Sequence, residues 1–212
     1  LKEINESQIL MAGGVLGILI LSILILRSHN KKSRQKLALA NKNTEINKQK
    51  EVISKKNDEI LDSINYARRI QAAILPPIRL VNNYLNNSFV LYLPKDIVAG
   101  DFYWMESVKS NGNENLILSA AADCTGHGVP GAMVSVMCHN ALNRSVREFG
   151  FRKANKILDK SRELVVEEFS KSDFAMSDGM DISLCVLNLD TLELNWAGAN
   201  NPLWIVRSNE II

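Results

Sequence analysis

The 212-residue chain is 46% hydrophobic and 23% charged, with a formal net charge of +2. That balance excludes a disordered or uniformly polyionic chain, but the average conceals three zones. Residues 1–26 hold three charges, residues 27–56 hold ten Lys/Arg against two Asp/Glu, and residues 57–212 hold fourteen basic against nineteen acidic residues. The basic zone adjoins an apolar segment, so anionic lipid headgroups account for it better than nucleic acid does, and no nucleic-acid partner is expected. The three cysteines, Cys124, Cys138 and Cys185, form no CxxC pair, and two lie in or beside apolar runs. This fits reduced thiols in a reducing compartment.

Ile9 to Leu26 is an uncharged stretch of 18 residues. As a helix it measures ~27 Å, about the hydrocarbon core of a bilayer. A signal peptide wants a basic leading region, and the residues before Ile9 include Glu3 and Glu6 with a single Lys. A buried core helix would not carry the one-sided flank of Arg27, Lys31, Lys32, Arg34 and Lys36. The sequence therefore predicts a transmembrane helix over 9–26 and an extracytoplasmic stub over 1–8. The positive-inside rule places the rest in the cytoplasm, and a bacterial inner (cytoplasmic) membrane is the expected location.

Residues 27–77 read as a basic juxtamembrane segment followed by a long helix. From Lys36 to Leu75 there is no Gly or Pro, and Pro76-Pro77 then ends the pattern. Leu39, Ile46, Ile53, Ile60, Ala67 and Ile74 recur every seven residues. The companion positions are Asn43, Lys50, Asn57, Ile64 and Gln71, so the second half of the seam is polar except at Ile64. A sustained seven-residue period predicts a coiled coil, here a homodimer through residues 39–74. A solvated linker helix is the competing reading.

Residues 78–212 read as a globular domain. Strands are predicted at Phe89–Leu93, Phe102–Val108 and Leu116–Ala122, with a turn at Ser110-Asn111-Gly112-Asn113. Helices follow over Pro130–Arg147 and Ala154–Lys171. Ile182–Leu189 and Leu192–Ala197 flank Asp190-Thr191 as a tight hairpin, and Leu203–Val206 opens a further strand before a turn at Ser208-Asn209. Hairpins on either side of two helices predict an α+β fold with antiparallel sheet. The chain begins at Leu1 and ends at Glu210-Ile211-Ile212 in what reads as a strand, so both ends are expected to be cuts in a longer protein.

The chemistry concentrates in Asp123-Cys124-Thr125-Gly126-His127-Gly128-Val129-Pro130-Gly131. An acid at the end of a buried strand needs a positive partner, and glycines let backbone approach that partner closely. Asp101 lies 22 residues earlier in Val98-Ala99-Gly100-Asp101-Phe102-Tyr103-Trp104. Two acids at the edges of apolar segments suggest a hard-cation site, completed by a backbone carbonyl, most naturally that of Cys124. The rival is a helix or turn cap at Asp123. A zinc site from Cys124, His127, Cys138 and His139 fits poorly, since adjacent helix residues project ~100° apart. Asp178-Gly179-Met180-Asp181 reads better as a turn with exposed acids. Lys95 and His127 are candidates to meet an anionic substrate. Asn200, in the loop Trp196–Pro202, is another candidate or else a turn residue bonded to its own backbone.

These residues, taken together, resemble the bacterial metal-dependent phosphatases of the stage II sporulation protein E type, a branch of the protein phosphatase 2C (PPM) superfamily. The resemblance covers about residues 64–212. It is carried by Ala99-Gly100-Asp101-Phe102-Tyr103, by the Asp123-Cys-Thr-Gly-His-Gly turn with its Pro-Gly-Ala helix start, and by the loop Trp196-Ala-Gly-Ala-Asn-Asn-Pro202. Tyr66–Pro76 looks like the helical lead-in of such domains.

The resemblance implies an αββα sandwich of two antiparallel sheets flanked by helices, here truncated at its C-terminus. It implies two Mn2+ or Mg2+ ions, with Asp123 bridging them, the Cys124 carbonyl holding one, and Asp101 completing the site. A metal-activated hydroxide would then attack a phosphoserine or phosphothreonine of a protein substrate. The family's later metal-binding aspartates would fall beyond Ile212, so this stretch alone is expected to be weak or inactive. The alternative is a phosphatase-like scaffold or binding module of a membrane sensor that has lost catalysis.

Overall fold

The computed structural model describes residues 6–109, 114–171, 178–208 and 210–211. The predicted turn over 110–113 and Asn209 lie outside the described residues. The chain divides into two units, one ending at Ile60 and one running from Leu61 to Ile212.

The described residues of the first unit are all helix. α1 spans Glu6–Ile74, so its last turns belong to the second unit. It stops one residue before Leu75-Pro76-Pro77, where a proline would remove a backbone donor and clash with the preceding turn. Its apolar stretch has a mean hydropathy of 2.3 over 18 residues and none of that window is buried. By length and composition this is one helix able to cross a membrane. Leu39, Ile46, Ile53 and Ile60 are also exposed.

The second unit continues with α2 (Ile78–Tyr84), β1 (Phe102–Lys109), β2 (Asn115–Cys124), α3 (Gly128–Arg147), α4 (Ala154–Ser170), β3 (Met180–Asn188), β4 (Leu194–Ala199), β5 (Val206–Arg207) and β6 (Glu210–Ile211). Strands β1 to β4 form one antiparallel sheet in sequence order, and β5 pairs with β6 separately. The two helices between β2 and β3 pack on one face of the sheet. Leu116, Leu118, Ala120, Ala122 and Cys124 alternate along β2 toward that face. There they join Ile182, Leu184 and Val186 of β3 and Val134, Leu142, Val146, Ile157 and Leu164 of the helices. The period of two puts every second side chain on one side. Ile117 goes to the other face, where it packs with Val81 of α2 and Met105. This double coverage explains why the first half of β2 reads as a continuous apolar run.

The mixed helix and antiparallel-sheet architecture agrees with the sequence reading. Three details differ. Phe89–Leu93 forms no strand: Phe89, Leu91 and Leu93 are 87%, 74% and 80% exposed, and no ladder pairs them among the described residues. The connection between β3 and β4 is wider than a tight two-residue turn. Asn188 Oδ1 accepts hydrogen bonds from the amides of Asp190 and Thr191, and Leu192 adopts φ 60°. Leu203–Ile205 precedes a strand only two residues long. The described residues hold one four-stranded sheet and one two-stranded hairpin.

Candidate active site

Asp123 is the penultimate residue of β2 and points away from α3 and α4, because its neighbours Ala122 and Cys124 face them. Asp101 immediately precedes β1. Phe102 pairs with Ala122, which brings Asp101 alongside Asp123. The Asp101 carboxyl is held above the ordinary carboxylate range, first by burial and then by hydrogen bonding with Asp123 and the charge of Asp123. Two acids in such contact favour a proton or a cation between them.

Backbone packing forces this approach. A Cβ on Gly100 would lie 2.5 Å from the Gly126 carbonyl oxygen and 2.9 Å from that of Cys124. Only a residue without a side chain lets the Asp101 segment sit against the Asp123 turn. Gly126, at φ 86°, then reverses the chain into α3. Thr125 ties the turn to the start of β3: its amide donates to the Gly179 carbonyl at 3.0 Å, and Gly179 N–H donates to Thr125 Oγ1 at 3.1 Å.

Asp101, Asp123, Cys124 and Gly126 line one open cleft of about 340 Å³, together with Lys95, Asp96 and His127. Two of the predicted substrate contacts, Lys95 and His127, are therefore at the cleft. His127 Nδ1 lies 3.0 Å from Asp96 Oδ2, a partner the sequence reading did not name. Asn200 does not line the cleft; its Nδ2 donates to Asp181 Oδ1 at 2.8 Å. Asp181 is the register partner of Asp123 on β3, so a residue of the supposed exposed turn stands beside the candidate metal acid. Tyr92 donates to the Asp101 carbonyl oxygen at 3.2 Å and stacks edge-on against Tyr103, which anchors the 89–93 segment without a strand.

The donors in the cleft are carboxylate and carbonyl oxygens, the set that hard divalent cations prefer. They suit such an ion in kind. In number they make part of a site: among the described residues no three His, Cys, Asp or Glu side chains group closely enough to hold a metal. The thiols do not contribute. Cys124 is pushed up by its hydrogen bond with Cys138, by burial and by both aspartates, so it stays protonated. His139 Nδ1 instead faces Asn143 Nδ2 at 3.3 Å.

No family model matches the chain, and no curated protein matches it. Among solved structures, the chain is similar to the SiaA-PP2C domain of Pseudomonas aeruginosa, at 32% identity and a TM-score of 0.56. The chain has a PP2C-like fold. The match covers 68% of this chain and 55% of that structure, so the chain spans about half of its neighbour's length. A phosphatase-like fold thus surrounds the cleft, and proteins of PP2C type generally use divalent metals.

Proposed function

We propose that this chain is part of a membrane-anchored, metal-dependent protein serine/threonine phosphatase of the stage II sporulation protein E type, acting in bacterial signal transduction. The observation that carries the reading is the Asp101–Asp123 pair, set side by side by the β1–β2 register in an oxygen-lined cleft of a PP2C-like fold.

Asp101, Asp123 and the Cys124 carbonyl would hold divalent cations, Mn2+ or Mg2+. Metal chemistry at such a cleft is the activation of a water nucleophile and the neutralisation of charge on phosphoryl oxygens. The chain's own residues bind and orient. Lys95 at the cleft attracts the phosphate dianion of a phosphoserine or phosphothreonine protein. Asp96 engages His127 through Nδ1, leaving Nε2 as the nitrogen through which the ring meets a phosphoryl oxygen.

The apolar part of α1 anchors the protein in the inner membrane, and the Arg27–Lys36 flank keeps the phosphatase unit cytoplasmic. The exposed Leu39, Ile46, Ile53 and Ile60 supply a seam for a parallel homodimer.

The test is Mn2+-dependent hydrolysis of phosphoserine peptides by the whole protein. Asp123→Ala should reduce it to background. Undiminished hydrolysis would remove Asp123 from its role. A wild-type protein that binds partners without hydrolysis would instead establish the scaffold reading.

A further inference from the structure

A second cavity, of about 510 Å³, is larger than the metal cleft and lies between α4 and the sheet. Its floor is Leu158 and Val165 of α4, Met180 and Ile182 of β3, and Ala197 of β4. The β4 wall is hollow because Ala197, Gly198 and Ala199 follow one another there. Ala197 packs on the helix side of the sheet, and the period of two puts Ala199 on that side as well. Val166 lines the cavity too and is 55% exposed, an apolar side chain that folding leaves uncovered. An apolar cavity of this size with a few polar groups at its mouth is the usual form of a binding site.

The mouth supplies those groups. Asn155, Asp159 and Arg162 line it from α4, and Asp178 lines it from the approach to β3. Asp159 is engaged by Lys156 at 3.4 Å. Arg162 is exposed and has no hydrogen-bond or ion-pair partner among the described residues, so its guanidinium fork is available to a carboxylate.

The cavity adjoins the metal cleft. Gly179 lines it, and Gly179 is the residue whose carbonyl and amide both bond Thr125 of the Asp123 turn. Asp181, two residues on, is the register partner of Asp123. One strand spacing across and two residues along β3 set the edge of the cavity roughly 8 Å from the metal acids. A Cβ on Gly179 would meet nothing within 4 Å, so the saddle between cleft and cavity is open. An extended chain crosses it in about three residues. Asp178, beside Gly179, can accept from a main-chain amide as the chain passes.

We infer that this cavity is the docking subsite for the polypeptide that carries the phosphoserine: with the phosphate at the metal cleft, a large aliphatic side chain a few residues away fills the space between α4 and β4, and an adjacent carboxylate meets Arg162. The inference rests on the phosphatase reading of the cleft. Continuity over Gly179 identifies the occupant, because a chain whose phosphate lies in the cleft runs past the cavity. The charges agree. Lys95 at the cleft and Arg162 at the cavity both attract acid, so an acidic segment bearing a leucine-sized side chain is the complementary substrate. An apolar pocket of this kind discriminates between side chains of different size by about tenfold or more.

The test uses the whole protein with Mn2+ and peptides carrying one phosphoserine. A leucine-aspartate pair is walked through the neighbouring positions in both directions. Each peptide is compared with its dialanine counterpart, by kcat/KM for phosphate release and by fluorescence anisotropy for binding. In one register the wild type should favour leucine-aspartate by about tenfold or more. Ala199→Phe fills the cavity and should bring that ratio close to one. Arg162→Glu should favour lysine over aspartate beside the leucine. Equal ratios in the wild type and Ala199→Phe, or no favoured register in the wild type, overturn the inference. Should Ala199→Phe fail to fold, Arg162→Glu on the exposed side of α4 decides: a reversed charge preference supports the inference and an unchanged one overturns it. Hydrolysis of p-nitrophenyl phosphate, which is too small to reach the cavity from the cleft, tests the phosphatase reading separately. If that hydrolysis is present and the leucine preference is absent, the docking subsite alone falls. If leucine-dependent binding is present and lost in Ala199→Phe, yet nothing is hydrolysed, the phosphatase reading alone falls. A wild type that neither hydrolyses nor binds overturns both.

Discussion

Asp123 on β2 and Asp181 on β3 are register partners across the sheet, on the face turned away from α3 and α4. Directly opposed like charges destabilise a ladder. Asn200 Nδ2 relieves Asp181 through one hydrogen bond, and an asparagine in place of Asp181 would retain an oxygen to accept it. Asp181→Asn should therefore raise the melting temperature of the chelator-treated protein by about 1–2 °C. The gain should shrink when Mn2+ is added. A lowered melting temperature would show that Asp181 does more for the fold than it costs.

Gly100→Ala should be costly for a different reason. The new methyl would meet two carbonyl oxygens of the backbone, at 2.5 and 2.9 Å, and backbone cannot swing aside as a side chain does. Overpacking of this kind costs roughly 1–3 kcal/mol, or about 2–12 °C in a domain of this size. The shift also drives Asp101 from Asp123, so Mn2+ binding should weaken together with stability. Calorimetry and Mn2+ titration of the same variant check both halves.

The sequence and the structure part company where contacts are remote in the chain. Helices α3 and α4 and strands β1 to β4 follow from local periodicity and turn residues, which act over a few positions. The Phe89–Leu93 segment shows the limit: its run of apolar and aromatic residues is that of a strand, yet a strand also needs a neighbour to pair with, and composition carries no information about one. Asp101 and Asp123 were legible because each ends an apolar run. Asp181 was not, because its standing beside Asp123 is a matter of register between strands some sixty residues apart. Gln71 reads as a weak point of a heptad seam; its burial against Ala99 follows from tertiary packing that no helical period encodes. Asp96 gave no signal beyond its nearness to Lys95.

His139 makes stability depend on pH. Burial holds its imidazole below the ordinary histidine range, with Arg147 adding to the effect and a hydrogen bond to the Ile74 backbone opposing it. A depressed histidine takes up its proton more readily in the unfolded chain. Stability is therefore full above the ordinary value of 6.5 and is lost as pH falls from there through the folded value. The melting temperature should drop between pH 7 and pH 5 in the wild type, and drop less in His139→Gln. Equal slopes would place the acid sensitivity elsewhere.

Trp104 sets the direction in which Asn143 points, and with it the size of that pH effect. The indole is almost fully buried, and its Nε1, which can only donate, gives a hydrogen bond to Asn143 Oδ1 at 2.8 Å. The Asn143 amide must then turn its Nδ2 toward His139 Nδ1. That nitrogen has to accept, which only the neutral ring can do. Protonation of His139 would set one donor against another. In Trp104→Phe the amide is released and can rotate to present its oxygen, which accepts from the protonated ring. The variant should lose roughly 2–4 kcal/mol at neutral pH from the smaller ring and the missing bond. Its melting temperature should nevertheless fall less steeply between pH 7 and pH 5 than that of the wild type. Parallel slopes for the two proteins would show that Asn143 does not transmit the orientation of Trp104 to His139.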